Sequence, residues 1–342
     1  MRRATLPFLV GMLVAGAFAP PSSVASGVAS PRPGAARECG PGLVPVADGL
    51  CTHGGDRVPP TAERAAAREA TVPARSEPSD LCAGNGLNGR RVRVFYAYPN
   101  DTTSRAAVFR SWVRDSVAMA DANLDAQTPG TDGQHLRMFC KNGRKVTVSA
   151  ISMLPIGADA AFTFNDVIGS LVNRVAHGLG DTNFDAPRFT YVVFIDNVTC
   201  CYGPSGQGTI YYDDRPDPAV NLNNQAAFGP RFAMVEVSGS AWQGAYVFLH
   251  EVGHTLGAVQ HSAPHSSGAG HCYTSYDVMC YADGGPWFSG GGAMQLVCDP
   301  MSDGQYPFDC EGGDYYEVDP PPGSYLAGAW NTSDSGWLTK PG

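Results

Sequence analysis

The stretch HEVGHTLGAVQH, from His250 to His261, puts three histidines, one glutamate and one glycine of consequence into twelve residues, and the rest of the chain must fold around it. Residues four apart share a helix face, so His250 and His254 can direct imidazole nitrogens at one point, about 2.0–2.1 Å from a divalent ion such as zinc. Glu251 then stands beside that point, where a base takes a proton from water. Gly257 can adopt the left-handed conformation that ends a helix, turning the chain back so that His261 supplies a third ligand and water keeps the fourth position. The spacing therefore demands a helix running into the site, a sharp exit and a packed body around both. Residues from about Ala241 to Leu256 are apolar around most of the helix circumference, as burial requires. Histidines that merely cap or fill a core are the ordinary alternative, and the five fixed positions weigh against it.

The N-terminus sets the compartment. Arg2 and Arg3 precede an apolar run from Leu6 to Ala19 and small residues at Val24, Ala25 and Ser26, so residues 1–26 are expected to be a secretory signal, too short for a span of about 20 apolar residues. Ten cysteines, an even set behind an export signal, favour disulfides, with Cys39–Cys51, Cys272–Cys280 and Cys298–Cys310 as natural pairs by proximity. No CxxC pair supports a structural zinc knuckle. The net charge of -9 argues against a nucleic-acid partner, since phosphate binding requires a basic face. No stable membrane insertion is expected after signal cleavage.

Residues 27–80, rich in Ala, Pro, Arg and Gly, have no sustained apolar period and are expected to form a pro-segment or linker. From Cys82 the texture changes. RRVRVFYAY (90–98) alternates like a strand, and Asp101 or Thr102 is expected to cap a helix carrying Phe109, Trp112, Val113, Val117, Ala120 and Leu124. HLRMFC and KVTVSAI read as strands, a second helix starts near Thr163 and stops at Gly178, and FTYVVFID, GTIYYD and FAMVEV read as further strands. After Gly257 the pattern fades into Gly-, Pro-, Ser- and Asp-rich sequence stapled by cysteines. The expected class is α+β, a mixed sheet with packed helices and an irregular disulfide-rich C-terminal part.

The residues His250, Glu251, His254, Gly257 and His261 match HExxHxxGxxH in full, and in this the chain resembles the metzincin zinc metalloproteases. Their methionine turn has a counterpart in Met279 of SYDVMCY, and Tyr281 is similar to the tyrosine that astacins and serralysins use as a displaceable ligand and transition-state donor. The resemblance covers roughly Cys82 to Tyr281. It implies a metzincin-like zincin catalytic domain over 81–342, divided into an N-terminal subdomain (81–257) and a C-terminal one (258–342). It also implies one catalytic zinc held by His250, His254 and His261, and a secreted endopeptidase cleaving protein or peptide substrates. The water is metal-activated, with Glu251 as general base.

Other arrangements fit less well. A thermolysin-like site needs a glutamate as third ligand, and none occurs between Glu251 and Glu311. Asp277 could serve an aspartate-ligand variant, and His265 or His271 could replace His261, but none has the glycine-linked spacing. Cys39 in ECGPG invites comparison with a pro-segment thiol that blocks zinc, yet nearby Cys51 favours a small disulfide loop. The acidic C-terminal stretch lacks the alternating oxygen ligands of a calcium loop. A secreted zinc-containing binding or adhesion module without proteolysis is the alternative function, and Glu251, unnecessary to a purely structural site, weighs against it.

Overall fold

Strands form where β-branched and aromatic residues cluster, and the longest such run becomes the middle of the sheet. The computed structural model describes residues 39, 42–45, 50–56, 75–128, 133–153, 188–196, 206–225, 231–237, 240–299 and 306–340. A short antiparallel pair, β1 (Val44–Pro45) and β2 (Cys51–Thr52), precedes a helical turn, α1 (Pro78–Leu81), and the nine-residue β3 (Arg91–Pro99). Then come α2 (Ala106–Asp125), β4 (Val148–Met153), β5 (Phe189–Ile195), β6 (Gly206–Gly208), β7 (Arg231–Glu236), α3 (Ala241–Leu256) and the short α4 (Pro286–Ser289). The five-stranded sheet runs β4-β3-β5-β7-β6; the first four strands are parallel and β6 is an antiparallel edge. The result is a mixed sheet with few helices and several disulfides.

Alternation along the strands divides the core in two. Val92, Val94 and Tyr96 of β3, Val192 and Phe194 of β5, and Ala233 and Val235 of β7 face the helices, meeting Val113, Val117 and Leu124 of α2 and Phe248, Val252 and Leu256 of α3. Phe95, Ala97, Tyr191, Val193, Phe232 and Met234 line the opposite face, where Leu50 from the N-terminal segment joins them. The two helices pack closely because Gly244 carries no side chain: a Cβ there would lie 2.5 Å from Trp112.

Several boundaries differ from expectation for local reasons. Helix α2 starts at Ala106 rather than near Asp101, because the Thr102 hydroxyl donates to Pro99 O at 2.9 Å and closes a turn first. HLRMFC makes only isolated bridges, Leu136 with Leu338 and Met138 with Val92. In the region of GTIYYD the ladder runs over Gly206–Gly208 and then gives way. Tyr211 N donates to the Asn223 side chain at 3.2 Å and Asp213 N to Gln260 Oε1 at 2.6 Å, so side chains take over from the ladder. The helix expected near Thr163 lies outside the described residues, as do Cys200 and Cys201.

Among the described residues four disulfides join Cys39–Cys51, Cys82–Cys140, Cys272–Cys280 and Cys298–Cys310, so the three proximity pairs form as expected and Cys39 is not a free thiol. Cys82–Cys140 closes a loop 58 residues apart in sequence, worth about 4 kcal/mol in the chain-entropy account of cross-linking. Part of the stretch expected as a linker is packed instead: Leu50, Cys51, Thr52 and Asp56 are buried against the sheet edge. No helix among the described residues is long and apolar enough to cross a membrane.

Candidate metal centre

Helix α3 begins with a reciprocal cap. Gln243 N donates to Ser240 Oγ at 3.3 Å, and Ser240 N donates to Gln243 Oε1 at 2.8 Å. It ends at Gly257 with φ 84°, the left-handed exit the sequence requires, in a space where any Cβ would strike Asn223. Between these ends His250, Glu251 and His254 are all buried. The Nε2 atoms of His250 and His254 lie 3.2 Å apart. His250 Nδ1 lies 2.7 Å from Val278 O, so it donates there and leaves Nε2 as the free lone pair.

Two further segments converge on the same point. His271 brings its Nε2 to 3.1 Å from Asp56 Oδ1, while its Nδ1 sits 3.0 Å from Asp283 Oδ2. Asp56 places Oδ2 3.3 Å from His250 Nε2 and 3.6 Å from His254 Nε2. The His53 ring lies 3.9 Å from that of His254, centroid to centroid, and the Tyr281 hydroxyl donates to Asp56 Oδ1. Nitrogens and oxygens about 2.0–2.1 Å from one tetrahedral ion stand roughly 3.3–3.4 Å from one another. The observed separations of 3.1–3.6 Å bracket that value.

The unpaired atoms tell the same story. Asp56 Oδ2, His53 Nε2, His271 Nε2 and both Glu251 oxygens are buried without a hydrogen-bond partner among the described residues, an arrangement that costs free energy unless something else satisfies it. His53, Asp56, His254 and His271 form one group able to share an ion, and Asp56, His250 and Glu251 form another. Three imidazole nitrogens and a carboxylate are a donor set that suits zinc.

Electrostatics agree. Burial, helped by the neighbouring imidazoles, pushes His254 well below its ordinary value, and burial pushes His53 down to about 3, so both are neutral, as ligands must be. His271 goes the other way, up to about 9: burial opposes its charge, but Asp56 and Asp283 outweigh it. Asp56 stays well below the carboxylate range despite burial because His53, His271 and His250 surround it. Burial first, then the Asp56 charge, holds Glu251 well above its usual value. A cation at the centre would replace the His271 proton as the charge balancing these carboxylates.

The site's floor comes from the segment that follows. Met279 is fully buried under α3, and a Cβ on Gly253 would lie 2.6 Å from its sulfur, so the helix needs glycine there. Gly253→Val is expected to destabilise the domain by about 1–3 kcal/mol through overpacking, read as a lower midpoint of thermal unfolding. An unchanged midpoint would show that Met279 does not press on the helix. Gly206 and Gly208 of β6 are equally constrained, because side chains there would run into Glu251.

Of the expected residues, His250, Glu251, His254, Met279 and Tyr281 come together. His261 does not join them: it is exposed, with its ring edge-on to Tyr212 at 3.6 Å between centroids. The chain leaves Gly257 as required, but Gln260 is the side chain that turns inward, donating to Tyr211 O at 3.0 Å and Gly257 O at 2.8 Å. His271 instead brings its Nε2 to the Asp56 carboxylate that faces His250 and His254. Its sequence signal is its position before Cys272, whose disulfide to Cys280 closes the loop bearing Met279. The sequence pattern does not point to His53, Asp56 or Asp283; HGGD at 53–56 is the local signal for the first two. Asp277 is no ligand but accepts from Met279 N at 2.7 Å, Tyr315 OH at 2.7 Å and Cys310 N at 2.8 Å. His265 is engaged with Asp314 at 3.0 Å.

No protein-family profile matches the chain, and no curated protein resembles it in sequence. Among solved structures, metalloproteinase-II from Bacteroides fragilis aligns with 16% identity and a TM-score of 0.31, over 71% of this chain and 58% of that one. The chain thus spans a little over half the length of that protein.

Proposed function

We propose that the protein is an exported, zinc-dependent endopeptidase, with His250, His254 and His271 as metal ligands and Glu251 as general base. The observation that carries this is the convergence of the buried His250, His254 and His271 imidazoles on the Asp56 carboxylate, with the Nε2 atoms of His250 and His254 3.2 Å apart and an unpartnered carboxylate one residue from the first of them. Zinc bound there supplies Lewis acidity, making water acidic near neutral pH and polarising a peptide carbonyl.

The chain's own groups do the rest. Glu251, fully buried beside β6, accepts the proton of the attacking water as the C–O bond forms and returns it to the leaving amine as the tetrahedral adduct collapses and the C–N bond breaks. Tyr281, whose hydroxyl already reaches into the cage, donates to the developing oxyanion. His250 is held by Val278 O and His271 by Asp283, so neither ring needs to reorient. The edge of β6 offers an extended substrate a strand to pair with. Export rests on the signal-like N-terminus and agrees with the disulfides.

A binding module with a closed metal site is the second reading, favoured by one observation: His53 and Asp56 fill positions that water and substrate would need. The zinc-loaded protein, with residues up to the mid-50s cut away from the rest and separated, should cleave members of a peptide library. A chelator should stop this and added zinc restore it. No cleavage of any member by that form would leave the binding module standing.

A further inference from the structure

We propose that the groove at the start of β3 binds a phosphate dianion, free or as a monoester, between the guanidinium forks of Arg91 and Arg137 and the Lys340 ammonium. No residue of the metal cage lines this groove, so the proposal does not depend on the peptidase reading.

The groove, of about 540 Å³, lies between the loop 83–89, the first residue of β3, Arg137 and residues 339–340. The backbone itself gathers cations there. Arg91 N donates to Arg188 O at 2.8 Å and Val92 N to Arg137 O at 2.8 Å, so sheet pairing brings three arginines from distant stretches side by side. Carboxylates do not balance them. Among the described residues the arginine–carboxylate pairs are Arg75–Asp115, Arg105–Asp196 and Arg215–Asp213, none of which lines the groove. Of the lining cations only Lys340 has an acid beside it, Asp334 at 3.6 Å. A chain of net charge -9 thus carries a local excess of positive charge. Burial first, then the charges of Arg137 and Arg188, holds Arg91 below its ordinary value, as an unbalanced cluster requires.

The groups are held in place before any ligand arrives. Arg91 is buried and donates from Nε to Asn88 O at 2.9 Å and from Nη2 to Ala83 O at 2.8 Å, tying the loop to the strand. Asn85 Oδ1 accepts from Leu87 N and Asn88 N, each at 2.9 Å, and fixes the loop from within. Gly89, at φ 75°, turns under Arg137, where a Cβ would lie 3.0 Å from Nη2. The Arg137 side chain is left unspent: its Nε is buried without a hydrogen-bond partner among the described residues. A buried donor of this kind costs free energy until an acceptor meets it.

The chemistry of the occupant follows from these groups. Guanidinium forks match oxyanions bidentately, and a phosphate monoester brings nearly two negative charges and three acceptor oxygens near neutral pH. A carboxylate brings one charge and two oxygens, too few for this cluster. A nucleic-acid strand needs a row of cations, whereas the groove holds a single group of them.

Calorimetric titration of the full chain with inorganic phosphate and with glycerol phosphate, at constant ionic strength and with acetate for comparison, tests this. Each phosphate should bind saturably at one site per chain, and acetate far more weakly. Arg137→Gln should weaken binding by about tenfold or more, as loss of a charged hydrogen-bonded contact does, with metal content and the thermal midpoint unchanged. Tighter binding of the ester would identify a displayed phosphomonoester as the occupant, and equal binding the phosphate group alone; either upholds the site. Phosphate held at the metal cage instead would bind Arg137→Gln as tightly as the native chain, which would overturn the proposal. Acetate matching phosphate, or no saturable binding, would overturn it too. Should Arg137→Gln fail to fold, Lys340→Gln, altered at an exposed position, must still lose affinity several-fold, and native affinity there would count against the site.

Discussion

Glu251→Gln, made in the chain freed of residues 50–56, is expected to lower peptide hydrolysis by about 10²–10⁴-fold while metal content stays at the native level. The argument is positional. Glu251 is completely buried, neither oxygen has a partner among the described residues, and the glycines of β6 leave it room. Glutamine fills nearly the same volume, keeps an acceptor and cannot take a proton. Steady-state turnover together with elemental analysis separates the two effects. Turnover within a few-fold of the native value would remove Glu251 as the base; joint loss of metal and turnover would make it a ligand instead.

The largest stability effect is expected at Asp277, two residues before Met279. Its carboxylate is buried and accepts from Met279 N, Cys310 N and Tyr315 OH, thus holding the methionine segment against α3 and joining it to the Cys298–Cys310 loop. Asp277→Ala would strand three buried donors, at about 1–3 kcal/mol for each that water cannot reach. A drop of less than about 1 kcal/mol in urea unfolding would show that the segment re-pairs elsewhere. The same carboxyl predicts a pH dependence. Burial, with Asp314 nearby, pushes it up to about 8 against those donors. A folded value above the unfolded one means stability fully present below about pH 4 and lost as pH rises towards 8. Thermal unfolding across that window should show a smaller loss in Asp277→Asn than in the native chain, and equal slopes would contradict the assignment.

The helix bearing the site was legible because its constraints are local. Apolar periodicity buried Ala241–Leu256, and Gly257 had to end it, since only glycine combines a left-handed φ with a Cβ-free approach to Asn223. Met279 was legible for a related reason, sitting in a short disulfide-bracketed loop that the structure places under Gly253. Which further imidazole turns towards His250 and His254 was not legible from spacing. His261 and Gln260 are adjacent, and which of them turns inward depends on Asp213 and Tyr211, far away in sequence. His271 reaches the cage through a loop whose path is set by Cys272–Cys280 and by Asp283, neither of which has a period to read. The docking of residues 50–56 was invisible for a stronger reason: a short segment without apolar pattern takes its path from partners distant in sequence, the β6 edge and the imidazoles around Asp56.

The account stands on which imidazoles share the ion, and metal analysis of two single substitutions measures that most directly. In chains freed of residues 50–56 and purified side by side, His261→Ala should retain zinc at the native stoichiometry, whereas His271→Ala should lose it on dialysis against a weak chelator. Zinc lost from His261→Ala and kept in His271→Ala would contradict the cage described here.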